Sequence, residues 1–249
     1  MSVGRPVLIA LDTATDRVHV ALVSGGDVRV AELAGGAQAS ATLLPSLQDL
    51  LAQAGLQWSD VDAIAFGEGP GAFTGLRTAC STAQGLALGL GKPVIAVDTL
   101  MAVAEHARMQ DPAAWQDGDV VWVLQDARMD ELYAAAFVWQ QASWRCVQAP
   151  QLWPLDEPAR RWGVAPGDVS GSPAPQHLAG SGLHAYPDRF AAVSAPHQWP
   201  QAVPAGSALA TLALAAWQRG DTLDAALALP RYVRDKVAQT TAERLAARS

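Results

Sequence analysis

The chain has 249 residues, 50% of them hydrophobic and 16% charged, a composition that sustains a packed core and excludes an intrinsically disordered protein. Its 24 acidic and 17 basic residues give a formal charge of −7, so the molecule as a whole repels phosphate backbones and anionic lipid, which disfavours autonomous nucleic-acid binding. Cys80 and Cys146 are too few for a disulfide framework and match no zinc spacing. The amino terminus lacks the features of a secretory signal, and the apolar stretch Ala208–Trp217 is about half the roughly twenty residues of a membrane span, so a soluble, cytoplasmic protein is expected.

Val7–Leu11 is a short apolar run ending in Asp12-Thr13 and reads as a strand. Val18, Val20 and Leu22 mark a second strand, and Gly25-Gly26-Asp27 turns the chain into a third, Val28–Leu33, so three antiparallel strands follow one another. Thr42–Ala54 carries Leu43, Leu44, Leu47, Leu50 and Leu51 at helical spacing. With Thr42 as N-cap, Pro45 would fall in the first turn, where a missing N–H costs nothing, and Gly55 would close the helix. Ala63–Phe66 is a buried strand, Gly67–Gly75 a glycine-rich loop and Leu76–Leu90 a helix stopped by Gly91-Lys92-Pro93; strand Val94–Val97 and helix Leu100–Arg108 follow. This β-β-β-α-β-α-β-α order is that of a ribonuclease-H-like layer.

Polar residues between Gln110 and Gly118 mark a boundary, after which a less regular round begins. Val120–Gln125 and Leu132–Val138 read as strands around the turn Asp126–Glu131, with a third at Trp144–Val147. From Pro150 to Pro204 proline and glycine crowd the chain, and only Leu178-Ala179 and the tight Gly180-Ser181-Gly182 stand out. Ser207–Gln218, apolar almost all round, reads as a buried helix capped by Ser207 and ended near Gly220; Tyr232–Ser249 reads as a charged, peripheral tail. The expected division is a first lobe of residues 1–108 joined by the helix near 207–218, a degenerate second lobe of 109–206, and a tail of 219–249.

The loop Gly67–Gly75 lies between a strand and a helix, where backbone N–H groups favour an anion. It is no Walker A loop, because Pro70 stands five residues before Gly75 and Leu76-Arg77 follow; it reads first as a tight turn and second as a ligand or partner contact. Arg77 in the first helical turn opposes the helix dipole and is expected to pair with Glu68. Asp12 and Thr13 end the first strand, where a ribonuclease-H-like fold places phosphate or metal contacts, and Asp126 is the symmetric carboxylate of the second round; the turn-capping role of a lone Asp is the simpler reading. Histidines 19, 106, 177, 184 and 197 show no ligand spacing, so no metal site is expected. Cys80 reads as packing, and Ser170-Gly171-Ser172 as a turn. Gly85 and Gly89 give the second helix a smooth flank, and the five leucines of the first exceed one buried stripe, so a partner interface is expected at Leu43, Leu47, Leu51, Arg77, Ser81 and Gly85.

Leu8–Thr13 (LIALDT), Leu43-Leu44-Pro45, Gly67–Arg77 (GEGPGAFTGLR), Gly85-Leu86-Ala87, Asp126-Ala127-Arg128-Met129 with Glu131 and Tyr133, Gly180-Ser181-Gly182 and Pro230-x-Tyr232-Val233-Arg234 together resemble the bacterial TsaB (YeaZ) family, from the first strand to the tail. The resemblance implies an α/β, actin-like ATPase (ASKHA) fold of two ribonuclease-H-like lobes with mixed sheets. It also implies a non-catalytic subunit that activates the TsaD transferase in forming N6-threonylcarbamoyladenosine at position 37 of tRNAs reading ANN codons. In that scheme TsaC makes threonylcarbamoyl-AMP, the ATPase TsaE docks on the TsaB–TsaD pair, tRNA is met only within the complex, and the chain alone is a homodimer without a cofactor. TsaD proteins carry a metal-binding His-x-x-x-His whose positions here are Thr99 and Val103, and family members often have a histidine where this chain has Ala39-Ser40. A vestigial nucleotide or anion site would comprise Asp12, Thr13, Gly69, Gly71, Asp126 and Gly180. The rival is an independent enzyme, an ATP-binding phosphotransferase or a peptidase. A tRNA scaffold with contacts from Arg231, Arg234, Lys236 and Arg244 is a third reading.

Overall fold

A computed structural model describes residues 5–36, 39–162, 175–191, 193 and 195–234. In chain order these form β1 (Leu8–Asp12), β2 (Arg17–Ser24), β3 (Asp27–Ala34), α1 (Ala39–Gln53), β4 (Ala63–Gly69), α2 (Phe73–Leu90), β5 (Val94–Asp98) and α3 (Thr99–Gln110). A second round comprises β6 (Val120–Asp126), β7 (Glu131–Gln140), β8 (Ser143–Pro154), α4 (Glu157–Arg161), β9 (His177–Ala179), α5 (Gly182–Ala185), α6 (Pro187–Phe190) and β10 (His197–Trp199), before the long α7 (Gly206–Arg219).

The first sheet runs β3-β2-β1-β4-β5, with β1 antiparallel to β2 and parallel to β4. The hairpin turns on Gly25 and Gly26, both at positive φ, the backbone that two-residue hairpin turns require. The second sheet runs β10-β9-β6-β7-β8, the same order once each strand is matched to its counterpart in the first round. The repeat is therefore complete at the level of the sheet, although β9 and β10 have three residues each. Strand β8 extends to Pro154, well beyond the expected Trp144–Val147. It is an edge strand with mostly exposed residues, so it lacks apolar alternation and tolerates Pro150, a residue that in sequence signals a loop.

Five layers result. Helices α1 and α2 cover one face of the first sheet, where Leu43, Leu47, Leu51, Ala79 and Ala83 pack on Ile9, Leu11, Val20 and Phe66. On the other face α7 lays Leu209, Ala210 and Ala213 against Leu8, Ala10, Ala65 and Ile95. Helix α3 packs Leu100, Val103 and Ala107 on Val121, Val123 and Phe137 of the second sheet, and the short helices α4 to α6 close that sheet's far side around Trp153, Trp162 and Phe190. Two ribonuclease-H-like sheets facing each other across central helices constitute the actin-like fold. No helix among the described residues is long and apolar enough to cross a membrane.

Several expectations are corrected. Helix α1 starts at Ala39, so Thr42 lies inside it and Pro45 sits in the second turn, where the carbonyl of Ala41 loses its helical donor. Leu43, Leu47, Leu50 and Leu51 are all buried, and Leu44, at 46% exposure, is the leucine left to solvent. The three leucines assigned to a partner surface thus form core; a charge at Leu47 would unfold the lobe, since even truncation to alanine costs about 2–5 kcal/mol. Helix α7 has Ala205 as N-cap with no side-chain cap, and Ser207 falls within its first turn.

Candidate functional site

The end of β1 and the glycine-rich loop are packed directly on each other. A Cβ at Gly67 would lie 1.8 Å from Asp12 Oδ2, one at Gly71 2.5 Å from Ala14 Cβ, and one at Gly75 1.9 Å from the Thr13 carbonyl oxygen. Gly71 and Gly75 permit the approach of backbone to backbone, and Gly67 leaves room for the Asp12 carboxylate. The loop's polar groups face inward: the Ala72 N–H donates to Ala14 O (2.8 Å), the Gly69 N–H to Thr99 Oγ1 (3.1 Å), and Thr13 Oγ1 to Gly75 O (2.5 Å). Of its two readings, the tight turn describes this arrangement; two of the loop amides an anion would need are already bonded within the protein.

Asp12 is fully buried beneath this junction. Its carboxylate accepts from the Ala14 N–H (2.7 Å) and Thr99 Oγ1 (2.7 Å). Burial pushes its pKa up to about 6, against the two hydrogen bonds that favour the charged form. Thr99, also fully buried, therefore ties β1, the loop and the start of α3 together.

Above the junction a cleft of about 850 Å³ opens between the lobes, with Thr13, Gly71, Thr74, Gln125, Asp126 and Ser181 in its walls. Three of the six residues expected at a nucleotide or anion site, Thr13, Gly71 and Asp126, thus face a common space. The other three do not. Asp12 is sealed beneath, Gly69 packs on Leu76 and on the Arg231 carbonyl, and Gly180, at φ +107°, lets its strand end cross 2.6 Å (as a Cβ distance) from Leu124 O. The carboxylate of Asp126 caps its own turn, accepting from the Arg128 N–H (2.8 Å) and Tyr186 Oη (3.0 Å). That turn is unusual in holding Arg128, Met129 and Asp130 successively at φ 62°, 55° and 57°.

The remaining wall is the segment expected to be peripheral. Arg231 pairs with Glu68 and with Asp98 (2.7 Å), so Glu68 has Arg231 as its partner and not Arg77. Arg77 instead donates to Tyr232 Oη (3.0 Å) and lies 3.9 Å over the Phe73 ring. Arg234 donates to the carbonyls of Ala127 (3.0 Å) and Arg128 (3.3 Å) and pairs with Glu131. Residue-type reasoning missed Thr99, Asp98 and this segment; the only signal was the Pro230-x-Tyr-Val-Arg run. Lys236, Arg244 and Ser170-Gly171-Ser172 lie outside the described residues.

On the outer side of α2, Arg77, Ser81 and Gly85 are exposed in one stripe with Leu88 (66%) and Gly89. A Cβ at Gly85 or Gly89 would meet nothing within 4 Å, so the fold of the single chain does not require either glycine. Burial lowers the pKa of His177, which hydrogen-bonds Asp119 (2.9 Å) and stacks on Trp115 at 4.3 Å. Among the described residues no three His, Cys, Asp or Glu side chains are grouped to hold a metal ion.

Comparison with known proteins gives a consistent picture. The model of the TsaD family, tRNA N6-adenosine threonylcarbamoyltransferase, matches residues 36–247. The tRNA threonylcarbamoyladenosine biosynthesis protein TsaB of Escherichia coli K12 is 36% identical over 153 residues, 58% of this chain. Its namesake in Haemophilus influenzae is 42% identical over 132 residues, 53% of this chain. The matches span 63% and 53% of the lengths of those two relatives. The solved structure of YeaZ from Pseudomonas aeruginosa superposes with a TM-score of 0.76 at 35% identity, covering 91% of this chain and 99% of that one. A second, an uncharacterized protein with similarity to peptidase YeaZ from the same organism, gives 0.78 at 35%, covering 92% and 100%.

Proposed function

The chain belongs to the TsaB (YeaZ) family, and from that premise we propose that it serves tRNA threonylcarbamoyladenosine biosynthesis as a non-catalytic subunit that binds and activates a TsaD-type transferase. The observation that carries the reading is Thr99. At the position where the resemblance places a metal-binding histidine, this chain has a buried hydroxyl committed to Asp12 and to the Gly69 N–H, and the second position is the core residue Val103. A hydroxyl already bonded on both sides supplies no ligand to a transferase metal. The partner surface under this proposal is the exposed stripe of α2, Arg77, Ser81 and Gly85, extended by Leu88 and by Leu44 of α1. Two mid-helix glycines with open space above them let another backbone approach closely. The same stripe would pair two copies of the chain when the transferase is absent. A TsaE-type ATPase docks on the heterodimer, tRNA is contacted only within the assembly, and the setting is cytoplasmic.

Reconstitution tests this reading. Purified TsaD-type transferase and TsaE-type ATPase, given threonylcarbamoyl-AMP, ATP and tRNA, are expected to modify tRNA only when this chain is added, and Ser81→Arg is expected to abolish the gain while leaving the chain folded. Unchanged transfer, with an active control subunit, would overturn the proposal and return attention to the cleft as the site of an independent phosphotransferase.

A further inference from the structure

Beyond Gly220 the chain runs back along the first lobe and reaches the second at Val233 and Arg234, the last of the described residues. Leu223 exchanges backbone hydrogen bonds with Val94 on the edge of the first sheet (3.0 and 2.9 Å). The carbonyls of Ala225 and Ala228 accept from Gln84 Nε2 (3.2 and 3.1 Å), which fixes the segment to α2. The Arg231 N–H donates to Glu68 O (2.6 Å), its guanidinium holds Glu68 and Asp98, and Tyr232 lies 5.2 Å from Phe73, centroid to centroid. Only two residues later the attachments change lobe. Val233 packs against the core of α3 and the second sheet, and Arg234 grips the turn that follows β6. Arg231, Tyr232 and Val233 line both the cleft and an open groove of about 930 Å³ beside β8, so the segment divides a single opening between the lobes in two.

We propose that residues 229–234 are a strap that holds the lobes together across the cleft, fixed at Arg231 and releasable at Arg234, and that the Arg77–Tyr232 contact ties its hold to whatever covers α2. The two ends differ in kind. Glu68 and Asp98 are mostly enclosed, with side-chain exposures of 17% and 9%, and among the described residues their cationic partner is Arg231; withdrawing it would strand two buried carboxylates. Arg234 is itself 14% exposed, but the groups it would leave behind, Glu131 at 34% and the Arg128 carbonyl on the exposed turn, are wetter than Glu68 and Asp98, so water compensates its release more fully. Movement therefore begins at Arg234 and hinges at Arg231. Between them stands Tyr232, whose hydroxyl partner Arg77 belongs to the proposed partner stripe. The strap's hold on the lobes is independent of any partner; its coupling to α2 rests on the functional reading above.

Hydrogen–deuterium exchange on the full chain, without any partner, separates the two. Arg234→Gln is expected to speed exchange roughly tenfold or more in residues 127–131 and also in the cleft loop 71–75, with β1 and β4 unchanged. Arg77→Ala is expected to produce a smaller rise in the same two regions and none in α1. A rise confined to 127–131 would overturn the strap, and no response at 127–131 to Arg77→Ala would overturn the coupling. If Arg234→Gln also loosens β1 and β4, Arg234→Lys must give the localised pattern or the strap is refuted. Since no transferase is present, failure of reconstitution leaves this result standing, and failure here leaves the activating role to be judged on its own assay.

Discussion

Asp12 carries a charge where water cannot reach it, and its protonation sets a sign on stability. The folded-state pKa of about 6 lies above the ordinary aspartate value of 3.8, so the native state takes up a proton first, and this group's contribution to stability rises as pH falls from about 6 towards 3.8. Asp12→Asn removes the desolvated charge and keeps an acceptor for Ala14, while the Thr99 hydroxyl can rotate to accept. Chemical denaturation is expected to find the variant more stable than wild type at pH 8, by up to about 3 kcal/mol, with the gap narrowing to about 1 kcal/mol by pH 4.5. His177 acts in the opposite sense. Burial lowers its pKa below 6.5, so stability is lost as pH falls through 6.5. His177→Phe retains the stack on Trp115, and Asp119 keeps its bond from the Gln116 N–H (2.7 Å); in denaturation experiments the variant's stability is expected to fall less steeply than the wild type's as pH drops below 6.5. The turn-capping role of Asp12 was legible in its residue type, since it bonds an N–H two residues on. Thr99 was not, because that partner lies 87 residues away and only the parallel strands bring it near.

At the scale of elements, glycines of one helix have opposite meanings. Gly85→Ala and Gly89→Ala add a methyl into open space and are expected to raise the melting temperature, each worth about 1 kcal/mol of helix propensity. Gly75→Ala drives a Cβ to within 1.9 Å of the Thr13 carbonyl and is expected to lower it by several degrees, with a cost of about 1–3 kcal/mol or more. Thermal denaturation of the three variants checks both signs. The sequence assigns Gly75 to the loop and Gly85 and Gly89 to the helix, whereas all three lie in α2; what stands over each is not legible, since the deciding neighbour for Gly75 is a strand end from another part of the chain. Helices α2 and α3 and strands β1 to β5 were readable because periodicity is local. Edge strand β8 was readable only over Trp144–Val147, because exposure along its outer side and the prolines at 150 and 154 erase in its second half the alternation that marks a half-buried strand.

For the whole molecule, chain order and packing order disagree. Helix α3 is continuous in sequence with the first round yet packs on the second sheet, and α7, after the second round, covers the inner face of the first. Each lobe thus borrows a helix from across the chain. A fragment of residues 1–110 would expose Leu8, Ala10, Ala65 and Ile95, the residues α7 buries, and is expected to show no cooperative thermal transition by circular dichroism, whereas the full chain unfolds cooperatively. The order of elements in the first round announced the topology of both sheets; the second round concealed its own, because strands of three residues carry too little pattern to register.

The tryptophans are distributed unevenly, and this gives the molecule an optical asymmetry. Of nine, Trp115, Trp139, Trp144 and Trp199 form one linked group and Trp122, Trp153 and Trp162 another, all in the second round, with neighbouring centroids 5.0–6.2 Å apart. Rings that close share their excitation, so seven of the nine tryptophans report the second lobe as two coupled groups, while Trp58 and Trp217 stand apart on the first. A binder seated on α2 has Trp58 as its local reporter, and a change in the emission of the two coupled groups on its arrival would be a signal carried across the cleft.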